Sequence, residues 1–96
     1  MTAAHVQYEN DWGRHKYFYN RIRLVPEKKY RGEVLYPDGT SGWVDIVWVE
    51  ESFDVGDMGH TNRVSTDRGF IEREMNGVKW RVPLESIPFR NLRVVK

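Results

Sequence analysis

The 96-residue chain has no cysteine, so it can form neither a disulfide nor a cysteine-ligated zinc site. It also lacks any run near the roughly 20 apolar residues that a membrane-spanning helix needs. The longest apolar-looking stretch, Trp43 to Val49, is broken by Asp45. The opening Met1-Thr-Ala-Ala-His5 has neither the charged start nor the apolar core of a secretory signal, and the expectation is a soluble, cytoplasmic protein with no membrane association. Recognised catalytic signatures are missing as well: there is no Gly-x-Ser-x-Gly elbow, no phosphate-cradling glycine motif and no His-Glu-x-x-His pair. With one small core to build, the chain is expected to be a non-catalytic module without a cofactor.

Charge is present but segregated. Residues 14–31 carry Arg14, Lys16, Arg21, Arg23, Lys28, Lys29 and Arg31 against Glu27 alone, whereas residues 32–57 carry seven acids and no base. The net charge of +1 hides this division. Neighbouring strands of one sheet would neutralise the two blocks as cross-strand pairs. Separate charged faces would instead steer a charged partner.

Hydrophobic residues repeat with period two, the strand period, and turn residues supply the organisation. Asn76-Gly77 lies between the alternating segments Phe70 to Met75 and Val78 to Val82, the strongest short-range hairpin signal. Its register sets Met75 opposite Val78, Glu74 opposite Lys79, Arg73 opposite Trp80, Glu72 opposite Arg81 and Ile71 opposite Val82. A second hairpin turns at Tyr36-Pro-Asp-Gly39, where proline suits the first central turn position and glycine the left-handed one. It pairs Tyr36 with Thr40 and sets Arg31 opposite Asp45. Its second arm, Gly42 to Glu50, is apolar on both faces apart from Asp45, as in a central strand.

Tyr17 to Val25 reads as a first strand, with Phe18, Ile22 and Leu24 inward and Tyr17, Tyr19, Arg21 and Arg23 outward. A short strand near Thr61 to Thr66 turns at Asp67-Arg-Gly69 into Phe70. Pro83 and Pro88 bracket an irregular turn before a closing strand, Asn91 to Val95. Residues 1–13 and the loop Ser52 to His60 read as irregular, which leaves residues 14–96 as a single domain. The expectation is an all-β fold: a small antiparallel barrel of six or seven short strands with little or no helix. The sequence of bent meander, irregular turn and last strand over residues 17–95 resembles SH3-like and Tudor-like barrels. That resemblance implies a binding module.

Three groups of residues could carry function. Surplus aromatics suggest a protein interface or self-association, because Trp and Tyr dominate interface hot spots. Trp12 and Trp43, rimmed by Asp45, Glu50 and Glu51, are its candidates, and Trp48 and Trp80 are assigned to the core. The second group, Arg14, Lys16, Tyr17, Tyr19, Arg21 and Arg23, would put cations for phosphates beside rings for bases on one strand face, a nucleic-acid surface. In the third, Asp54, Asp57 and His60 could gather around a divalent ion, or serve a small metal-dependent hydrolase, if their glycine-bearing loop curled. Their spacing matches no recognised metal motif, so no metal is expected.

Overall fold

The computed structural model describes residues 3–96. The protein is all-β, with nine strands and one 3₁₀ turn among the described residues. These are β1 (Ala4–His5), β2 (Gln7–Asp11), β3 (Arg14–Tyr19), β4 (Ile22–Leu24), β5 (Lys29–Leu35), β6 (Ser41–Asp57), β7 (His60–Met75), β8 (Val78–Pro83) and β9 (Pro88–Val95). Six of them form a curled antiparallel half-barrel in the order β1-β9-β5-β6-β7-β8, and β2, β3 and β4 form a small second sheet.

Both hairpins expected from turn chemistry are present in the expected register. The β7–β8 pairs run from Met75↔Val78 through Ile71↔Val82 to Phe70↔Pro83. Both turn residues are left-handed, Asn76 at φ 54 and Gly77 at φ 77, as a type I′ turn requires. The β5–β6 turn closes with the Gly39 N–H donating to the Tyr36 carbonyl at 3.0 Å. The Thr40 N–H and hydroxyl both donate to one Asp38 oxygen, holding that carboxyl below its usual range. Arg31 pairs with Asp45 at 3.1 Å, joining the basic block to the acidic one across the sheet.

Several expectations are corrected. The N-terminal segment is not irregular where it is described: β1 closes one edge of the half-barrel against β9, and β2 pairs along β3. Residues 1 and 2 lie outside the described residues. The single strand over Tyr17–Val25 is instead a hairpin, because Asn20 and Arg21 both take positive φ, 50° and 67°, and reverse the chain. Alternation in β3 therefore runs opposite to expectation, with His15, Tyr17 and Tyr19 buried, whereas in β4 Leu24 is buried as expected and Ile22 is exposed. The Ser52–His60 segment is not a loop but the end of a ladder, paired from Ile46↔Ile71 to Asp57↔His60 and turned by Met58 and Gly59.

β6 and β7 are thus 17 and 16 residues long, not short. β5 flanks β6 only up to Asp45, and β8 flanks β7 only from Phe70. Past those points the two strands form an arm, a two-stranded ribbon. The longest principal extent is 51 Å against a shortest of 27 Å. The Cα radius of gyration, 15.2 Å, exceeds the roughly 13 Å of a compact chain this long.

The core lies between the half-barrel and the small sheet. Tyr17, Phe89, Ile71 and Leu84 are its largest fully buried side chains. Phe89 lies directly over Gly32, where any Cβ would collide with the ring. The Tyr19 hydroxyl donates to the Phe89 carbonyl at 3.0 Å, and the Gly69 N–H donates to the Tyr17 hydroxyl at 3.0 Å. These two buried bonds tie the small sheet to the large one. Burial pushes the Tyr17 phenol up to about 12 and raises Tyr19 as well. Trp48 packs edge-on to Tyr17 and Tyr30, in keeping with a core role. Trp80 does not share that role: it is 57% exposed.

Candidate functional site

The β2–β3 turn lies on the arm. A Cβ at Gly13 would come within 2.6 Å of the Val55 side chain, and Gly13 is left-handed, so glycine is required there on both counts. Beside this contact the arm and the small sheet enclose a cleft of about 660 Å³, lined by Asp11, Trp12, Arg14, Lys16, Arg23, Val55, His60, Asn62 and Val64. A second pocket of about 290 Å³ shares Arg14, Arg23 and Val64 with it and reaches His15, Trp48 and Asp67. Lys16 pairs with Asp11 at 3.5 Å, whereas Arg14 and Arg23 make no ion pair among the described residues. Trp12, at φ 54 and 72% exposed, stands on the turn at the cleft's edge.

Only half of the expected nucleic-acid surface survives this geometry. Arg14, Lys16 and Arg23 line the cleft, but Tyr17 and Tyr19 point into the core and cannot stack a base. Arg21 lies exposed on the β3–β4 turn and is not part of the cleft's lining. The expected protein-binding set is dispersed. Trp43 is half-buried with the Arg93 guanidinium 4.2 Å from its ring centroid, and Asp45 pairs with Arg31. Glu50 accepts a hydrogen bond from Ser65, and Glu51 turns toward His15 and Arg68. Of that set Trp12 alone is left without such a partner among the described residues. The curled loop that would gather Asp54, Asp57 and His60 does not form, because residues 54 and 57 belong to β6. Asp54 engages Arg63 instead at 3.4 Å, and the Asp57 side chain lies outside the described residues. No group of three metal-ligating side chains occurs among the described residues.

No family model, curated protein or solved structure matches this chain. No helix among the described residues is long and apolar enough to cross a membrane.

Two features escaped the sequence reading. The first is a polar cluster between the sheets. His15, 6% exposed, hydrogen-bonds the Tyr8 hydroxyl through Nδ1 and stacks edge-on against Phe53. Its Nε2 lies 3.4 Å from Glu51 but is not aligned for a hydrogen bond. Arg68 lies between Glu51 and Glu85, at 4.0 and 3.7 Å, with the Tyr8 and Phe70 rings beside its guanidinium. Burial lowers the His15 pKa, Glu51 opposes that shift and Arg68 adds to it. An unfolded histidine protonates near pH 6.5, and native His15 resists protonation. The stability that neutral His15 contributes is therefore whole above that pH and is lost as pH falls below it. The melting temperature is expected to drop between pH 7.5 and 5.5, and His15→Gln should flatten that part of the profile. An equally steep profile in the variant would remove His15 as its cause.

The second feature is apolar. β8 is the outer strand of the half-barrel, and Met75, Val78 and Trp80 are 59%, 52% and 57% exposed. They continue the face that buries Ile71, since Ile71↔Val82, Arg73↔Trp80 and Met75↔Val78 are facing pairs. Arg73 stacks on Tyr36, 4.8 Å from its centroid, rather than on Trp80. Next to it an apolar groove of about 500 Å³ is lined by residues such as Val34, Tyr36, Pro37, Ile87 and Pro88.

Proposed function

We propose that the protein is a non-catalytic interaction module that self-associates through the edge of β8. The carrying observation is Trp80, a large ring left exposed on an edge strand beside an apolar groove. An edge strand offers free N–H and C=O groups to another strand, and native proteins normally blunt such edges. Here Val78 and Trp80 advertise the edge instead, and exposed apolar strips of this kind mark interaction sites.

A second copy is the occupant that fits best. The hairpin's other face carries Glu72, Glu74, Lys79 and Arg81 in facing opposite-charge pairs, so it is locally neutral and two copies do not repel. Paired about a two-fold axis, each Val78–Trp80 strip would cover its equivalent, a self-complementary contact. The resemblance to SH3-like and Tudor-like barrels, most of which are binding modules, points to the same kind of role, and a cytoplasmic setting fits it.

Light scattering over a concentration series tests this reading. The native chain is expected to approach dimer mass, and Trp80→Lys to remain monomeric with its melting temperature within a few degrees of the native monomer. A native chain that stays monomeric at high micromolar concentration would contradict the reading. So would a dimer that Trp80→Lys leaves intact.

A further inference from the structure

We propose that the cleft between the arm and the β2–β3 turn binds a single-stranded nucleic-acid segment, with phosphates held by Arg14 and Arg23 and a base stacked on Trp12. This inference stands apart from self-association, which uses the opposite end of β7.

Charge is the first argument. Among the described residues three of the cleft's side chains are permanent cations and one is an acid, and that acid is already engaged by Lys16. Arg14 and Arg23 therefore face the cleft without an ion-pair partner among the described residues. Planar guanidinium groups suit phosphate oxygens, which they bind in a bidentate manner.

Shape is the second. The cleft's volume of about 660 Å³ suits an organic ligand more than a bare ion. A smaller pocket also counts the two arginines among its lining, so the pair stands between two neighbouring depressions rather than at the blind end of one. A linear polyanion fits such an arrangement.

The third argument is Trp12. A tryptophan at φ 54 pays a conformational cost that glycine or asparagine would avoid, and packing does not explain it, because the ring is 72% exposed. Local strain of this sort is commonly kept where a side chain must be presented to a ligand. An exposed indole next to two unpaired arginines is the pairing of ring and cation that single-strand binders use.

Fluorescence titration of the full chain with an eight-nucleotide oligothymidylate, at several salt concentrations, tests the proposal. Binding to single strands weakens with log salt at a slope of about 0.7 per neutralised phosphate. The double variant Arg14→Gln, Arg23→Gln is expected to lower that slope by about 1.4. The charge-matched control Lys79→Gln, Arg81→Gln on β8 should leave it unchanged. Trp12→Asn, which tolerates the left-handed turn, is expected to weaken binding roughly ten-fold at fixed salt, in line with the worth of one stacked base. Polyglutamate of equal charge should compete poorly. Melting curves check that each variant is folded, and all three positions are exposed. No binding at low salt, an equal effect of the β8 control, or an unchanged slope in the arginine variant would overturn the proposal. Full competition by polyglutamate together with indifference to Trp12→Asn would overturn the stacked base in favour of a simple anion site.

Discussion

Phe89→Ala is expected to destabilise the fold by about 3–5 kcal/mol, the usual cost of emptying a fully buried aromatic site. The ring is 0% exposed and covers Gly32, whose missing Cβ makes room for it. β9 lies between β5 and β1, so the ring anchors the strand that closes the half-barrel. A domain this size has about 5–14 kcal/mol in hand, and each kcal/mol moves the midpoint by roughly 4–8 °C. The melting temperature should therefore fall by well over 10 °C. A drop of only a few degrees would mean that the site collapses around the smaller residue and that the Phe89–Gly32 contact is not the keystone described above.

Tyr17→Phe is expected to cost about 1–3 kcal/mol, although the substitution changes a single atom. The Tyr17 hydroxyl accepts the Gly69 N–H at 3.0 Å where the chain is buried. Removing it strands a buried donor, since β8 pairs with β7 only from Phe70 onward. Chemical denaturation would read the loss as a lower midpoint at unchanged slope. Tyr19→Phe supplies a comparison: it leaves the Phe89 carbonyl, an acceptor that tolerates under-satisfaction better, and should cost less. If Tyr17→Phe proved neutral, the Tyr17–Gly69 bond would not be what ties the small sheet to the large one.

The two hairpins read correctly from sequence share a trait. Asn76-Gly77 and Pro37-Asp38-Gly39 consist of residues whose conformational preferences announce the turn, and cross-strand charges then set the register. Three other turns use the same left-handed geometry with unhelpful residues: Trp12-Gly13, Asn20-Arg21 and Met58-Gly59. Tryptophan, arginine and methionine rarely occupy positive φ, so Gly13, Asn20 and Gly59 each stood beside a partner that hid the turn. Missing the turn at Asn20-Arg21 inverted the faces of β3 and exposed two tyrosines that are in fact core. Missing the one at Met58-Gly59 turned the end of a long ribbon into a loop, because Asp, Gly and Ser there are typical loop residues. The cleft was half legible, through Arg14, Lys16 and Arg23, because a run of bases is visible in one dimension. Its other wall, Val55, Asn62 and Val64, comes from an arm that only the fold reveals. Trp80 was misplaced for a related reason: its face is core at Ile71 but runs past the sheet's cover by Met75. Alternation shows which residues share a face, but not where that face stops being covered.

Hydrogen exchange of the backbone amides at low and high protein concentration tests self-association most directly. Edge pairing predicts that the amides of Lys79 and Arg81, which face outward in alternation with those already bonded to β7, gain protection as concentration rises, while those of the Asp54–Arg63 region of the arm do not change. Protection of β8 that is independent of concentration, or a gain confined to the arm, would contradict the assignment of β8 as the contact edge.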